Sequence, residues 1–129
     1  MQHEFPVRVY YEDTDMAGIV YHANYLKFIE RARSEWVKGM GIDQNALREH
    51  EGVVFVIRRI EADFRASARF DDELVVQTRV HSVGGVRLVL HQEVQRAGEA
   101  LFTAEVTLVS MTLDGQPTRL PQELRRKVH

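Results

Sequence analysis

The chain has 129 residues, is 44% hydrophobic and 28% charged, carries a formal net charge of −2 and contains no cysteine. These values predict one globular domain over residues 1–129; they exclude disulfides, thiolate zinc sites and cysteine nucleophiles, and they leave no basic footprint for nucleic-acid binding. No apolar run approaches the roughly 20 residues that span a bilayer, and MQHEFPVRVYYEDTD has no apolar signal segment, so a cytoplasmic protein with no transmembrane segment is expected.

In chain order, Phe5, Val7, Val9 and Tyr11 alternate with Pro6, Arg8 and Tyr10, the period of a half-buried strand. The period then changes. Tyr25, Phe28, Ile29, Ala32, Trp36, Val37 and Met40 form one apolar stripe at helical spacing. Lys27, Glu30, Arg31, Arg33, Glu35 and Lys38 make its charged back. The helix should run for about four turns, with Asn24 as its N-cap and Gly39 or Gly41 as its stop. A short helical piece is expected near Asp43 to Glu51.

The remainder reads as strands. VVFVIRRIEADFRA, ELVVQTRVHSV, VRLVLHQEVQR and ALFTAEVTLVSMTL are rich in β-branched and aromatic residues. SVGG and RAGE carry hairpin turn residues, and FDDE is a further turn. The predicted order is one strand, one long helix and about four consecutive antiparallel strands, an α+β pattern in which a sheet face covers the helix stripe. PTRLPQELRRKVH reads as a solvated tail or short surface helix.

Candidate chemistry gathers before the helix. Glu12, Asp13 and Asp15 are followed by Gly18, apolar Ile19, Val20 and Tyr21, and then His22. A solvated acidic loop is the plain reading of three such acids. A second reading is chemical. A helix N-terminus presents unpaired N–H groups and about half a positive charge. Such groups can hold an oxyanion, while a nearby carboxylate acts as base or nucleophile on a carbonyl. A divalent cation on Asp13, Asp15 and His22 is a weaker third reading, because His50, His81 and His91 stand apart along the chain. Tyr21 and Tyr25 read as core or pocket wall, and Trp36 as core. Arg58 and Arg59 share a strand, so at least one should face solvent or a phosphate.

YEDTDMAGIVYHANYLKFIERARSEW resembles the signature of the 4-hydroxybenzoyl-CoA thioesterase family, in its Tol–Pal-associated YbgC-type branch. The shared core is D-x-D-x-x-G-x-V-x-H-x-x-Y, here Asp13, Asp15, Gly18, Val20, His22 and Tyr25. RRIEADFRASARFDDELVV resembles the family's following strand and turn, with Ser67 where the family usually has proline. The resemblance implies a hotdog fold, an antiparallel sheet wrapped around one long helix. It implies sites at a subunit interface and a homodimer or homotetramer. The implied reaction is hydrolysis of an acyl-CoA thioester, with acyl carrier protein as an alternative carrier and with no metal and no other cofactor. It implies Asp15 as the catalytic carboxylate and His22 as the position of the N–H that polarises the carbonyl. Gly18, Val20, Tyr21 and Tyr25 are then substrate-binding, with Arg87 and Arg59 as candidate contacts for CoA phosphates. The competing readings are a hotdog hydratase and a non-catalytic binder of acyl-CoA or acyl carrier protein. A hydratase would need an acid on the helix, and Glu30 lies on the charged face. A pure binder gains nothing from Asp15.

Overall fold

The computed structural model describes residues 2–128. Strand β1 (Gln2–Arg8) leads through a 3-10 turn (Tyr11–Asp13) to helix α1 (Asn24–Gly39). Helix α2 (Gln44–Ala46) runs on into a π-helical turn (Leu47–Glu51). Strands β2 (Val53–Phe64), β3 (Glu73–Val83), β4 (Arg87–Arg96) and β5 (Glu99–Thr112) follow, and α3 (Gln122–Val128) ends the described chain.

The five strands form one sheet in the order β1-β3-β4-β5-β2, every neighbouring pair antiparallel. The expected run of hairpins therefore holds for β3, β4 and β5. It fails for β2, which pairs with β5 at the far edge instead of with β3. The chain must cross the sheet between β2 and β3, so residues 65–72 arch over the start of α1. Three contacts anchor that arch. The Val20 amide donates to the Ala68 carbonyl at 2.8 Å, Ile19 bridges Arg69, and the Ala68 amide donates to the Tyr25 hydroxyl at 3.0 Å.

The helix stripe does what its spacing predicts. Phe28, Ile29 and Ala32 are fully buried against Val76, Leu90, Val94 and Val106 of the sheet. Burying each large side chain of this kind contributes about 1.5–3 kcal/mol. Arg33 departs from the expected charged back. It turns toward the sheet and donates to Gln92 Oε1 at 3.0 Å, and burial lowers its guanidinium below the usual range. Gln92 Nε2 in turn donates to the Ile29 carbonyl and to Thr78 Oγ1. This buried network pins the helix to the sheet.

The ends of α1 also differ from expectation. Asn24 is its first residue, not its cap; Ala23 takes the cap position without a side-chain bond. Asn24 Nδ2 donates instead to the Asp13 carbonyl at 2.9 Å, so it ties the preceding loop to the helix. At the other end Gly41, with φ +83°, turns the chain away. Such a left-handed conformation suits glycine, which has no Cβ to clash.

Strand β1 stops earlier than the alternation suggests, because Tyr11 enters the 3-10 turn and faces solvent. The C-terminal segment is not a solvated tail. Leu120 and Leu124 are buried, and the Leu120 amide donates to the Gly85 carbonyl. Two leucines thus dock a short basic helix. His81 and His91 also do not stand apart. Both reach Glu105, and His91 bridges Glu105 and Glu93 at 2.9 and 2.8 Å. The register puts His91 between Arg79 and Glu105 on adjacent strands, a closeness across the sheet that linear spacing conceals.

Candidate active site

The site is built from the loop before α1. The sequence D-T-D splits its two carboxylates by task. Asp13 is half-buried and organises the loop. Its Oδ2 accepts from the Tyr10 amide at 2.8 Å, and its carbonyl accepts from the Tyr21 amide and from Asn24. Asp15 is exposed and shapes its own turn. Its Oδ1 accepts from the Ala17 amide at 2.9 Å, and its amide donates to the Ile19 carbonyl. Gly18 closes that turn with φ +78° and donates to the Asp15 carbonyl. Asp13 thus engages the backbone through one carboxylate oxygen.

A cavity of about 310 Å³ opens beside this turn. Asp15, Val20, His22 and Tyr25 line it, all four expected from sequence. Phe64, Arg65, Ala66 and Ser67 complete its wall from the arch between β2 and β3. Among the described residues no group accepts from the His22 and Ala23 amides at the helix entry. The helix start therefore offers free donors and its partial positive charge next to a carboxylate.

Aromatic packing gives the cavity a rigid wall. The Tyr25 ring stacks on Phe102 at 5.1 Å and meets Phe64 edge-on at 5.8 Å. Phe64 also faces the His22 ring edge-on at 6.1 Å. Burial pushes the Tyr25 phenol above its ordinary value, offset in part by the bond from Ala68. Tyr25 is accordingly a wall and an anchor for the arch.

The other expected contacts fall elsewhere in the single chain. Tyr21 packs its ring on His22 at 4.5 Å but points to solvent, outside the cavity lining. Gly18 shapes the turn without lining the cavity. Arg59 sits on the edge strand β2, where it meets Glu61 at 3.4 Å; between it and Phe64 the strand rises roughly 17 Å. Arg87 is exposed at the start of β4. Neither arginine joins the cavity of its own chain, because both lie far along strands that only end near the helix mouth. Sequence reading missed Ile19, Phe64, Arg65 and Ala66, and cast Ser67 only as a departure from a family pattern. That departure was the one signal pointing at the arch.

A family model described as the thioesterase-like superfamily matches residues 9–128. The chain belongs to this superfamily. It is 39% identical over 126 residues to a protein of Haemophilus influenzae named acyl-CoA thioesterase YbgC, covering 97% of this chain and 93% of the relative. A crystal structure of a probable thioesterase from Bartonella henselae is 38% identical, with a TM-score of 0.90 over 94% of this chain and all of the other. A 4-hydroxybenzoyl CoA thioesterase mutant complexed with 4-hydroxybenzoyl CoA superimposes with a TM-score of 0.93 over 99% of both chains; at 20% identity it attests the fold alone. The fold of this superfamily member is the hotdog fold, α+β, as the resemblance implied.

Proposed function

We propose that this chain is an acyl-CoA thioesterase whose chemistry is carried by Asp15 and the entry of α1. The superfamily membership and the acyl-CoA thioesterases among its relatives support the reaction class. The observation that carries the site is the meeting of Asp15 and His22 on one cavity at a helix start with free amides.

The thioester carbonyl oxygen would lie on the His22 amide, where the partial positive charge of the helix end holds the developing oxyanion. The Asp15 carboxylate would act on the carbonyl carbon. It either attacks directly to form an acyl anhydride that water then opens, or takes a proton from a water that attacks. On both routes the acyl–sulfur bond breaks, CoA leaves as a thiol, and water supplies the oxygen of the free acid. The hydratase reading lacks its helix acid, since Glu30 is exposed and accepts from Ser34 Oγ. Acyl carrier protein stays in the proposal as an alternative carrier.

One hotdog domain spanning 1–129 and assembled as a homodimer or homotetramer in the cytoplasm completes the reading. The edge of β2 supports the assembly. It exposes Val56 and Ile57 beside a bulge at Arg58, and an unpaired strand edge invites a second strand. A partner would also return Arg59 and Arg87 to the site as phosphate contacts. The deciding experiment is thiol release from short, long and aromatic acyl-CoAs by wild type and Asp15→Asn. Turnover by wild type that collapses in the variant is expected; no turnover of any CoA ester by folded wild type would overturn the reading.

A further inference from the structure

A second cavity, of about 910 Å³, lies at the opposite end of α1 from the helix mouth. Along the helix axis Asn24 and Gly39 are separated by roughly 22 Å. The volume is at the upper end of the range for small-molecule sites, about 300–1,000 Å³. Its apolar lining comes from Trp36, Met40, Val80, Val83 and Val128. Among the described residues no Asp or Glu side chain lines it.

The polar part of the lining, which includes Gln2 and Ser82, holds two cations. Arg79 and Lys127 contribute to it; neither is within ion-pair distance of a carboxylate among the described residues, though the charge of Arg79 is felt by Glu93. His81 also contributes but is held by Glu105 at 3.5 Å. His3 also lines this wall. The C-terminus of α1 brings about half a negative charge to this end, which two full cations outweigh.

We propose that this cavity binds a fatty carboxylate, a single apolar chain with one anionic head. The head lies on Arg79 and Lys127, and the chain lies on Trp36 and the valines. Charge complementarity selects the head, and the apolar lining selects the chain. The acid released by thioester hydrolysis belongs to this class, a link that rests on the proposed function.

Trp36 is the only tryptophan of the chain, so its emission reports on this cavity and not on the helix mouth. Decanoate is titrated into the full-length protein below its micellar concentration, with thiol release measured on the same samples. A saturable change of Trp36 emission is expected in wild type and equally in Asp15→Asn. The paired variant Arg79→Gln and Lys127→Gln should weaken it tenfold or more while keeping thiol release. Neither decanol nor acetate should saturate at the same concentrations. Absence of saturation by decanoate in folded wild type, an equal response to decanol, or loss of the response in Asp15→Asn would each overturn the proposal. Failure of thiol release with decanoate binding intact would sink the thioesterase reading and leave the cavity standing.

Discussion

The hydroxyl of Tyr25 accepts the amide of Ala68 at 3.0 Å, joining the first turn of α1 to a segment 43 residues later. The same ring stacks on Phe102 of β5. One side chain thereby fixes the helix mouth, the sheet and the arch that closes the cavity. Tyr25→Phe keeps the ring and leaves a buried amide unpaired, which costs about 1–3 kcal/mol. Urea unfolding should show that loss, and hydrogen exchange should show residues 65–72 opening faster. Unchanged protection at Ala68 would mean that the arch is held from elsewhere.

The two carboxylates of D-T-D should separate in kinetics. Asp15→Asn should lower kcat about 100- to 10,000-fold, the range for a removed acid–base group. Asp13→Asn should instead cost about 1 kcal/mol of stability through the weakened bond to Tyr10 and retain most of kcat. Equal losses of kcat in both variants would contradict this division of tasks.

His22→Ala removes the imidazole and keeps the backbone N–H at the helix entry. A smaller loss than for Asp15→Asn is expected, because the proposed donor is the amide. Loss of one such donor typically costs about 100- to 1,000-fold, so a drop of that size or more in His22→Ala would move the chemistry to the ring.

Acid should weaken the outer face of the sheet. The bond from His91 holds the Glu93 carboxyl below its ordinary value, burial opposes this in part, and Gln95 and Arg79 add to it. A carboxyl depressed in the folded state contributes stability that is present above its unfolded value, near 4.5, and is lost as pH falls through the folded value. Urea midpoints of wild type and Glu93→Gln should therefore differ at pH 6 to 7 and converge as the pH drops below about 4.5. A gap that stays constant with pH would assign the effect of Glu93 to packing.

The edge of β2 should carry the assembly. Ile57→Lys places a charge on an exposed apolar edge position, so it should cost the monomer little. Sedimentation at graded concentrations should show a homo-oligomer for wild type and a smaller species for the variant. Thiol release should fall with it, since the proposed phosphate contacts come from the partner.

The sequence by itself determined much of this protein. The stripe from Tyr25 to Met40, the three hairpin strands and the D-T-D loop before the helix were all legible. Each is a local signal, a periodicity or a contiguous motif, and Asp15, Val20, His22 and Tyr25 fall within one such stretch. What lies across the chain was decided only by the tertiary structure. The placement of β2 beside β5 sends residues 65–72 over the helix and adds Phe64 to Ser67 to the cavity. Arg33 reads as surface on a helix and becomes half-buried because Gln92, 59 residues away, offers an acceptor. Leu120 and Leu124 sit in a basic segment yet bury, since the end of the sheet beside Gly85 leaves room for them. Local spacing specifies which residues share an element, while strand order and side-chain contact depend on which elements meet.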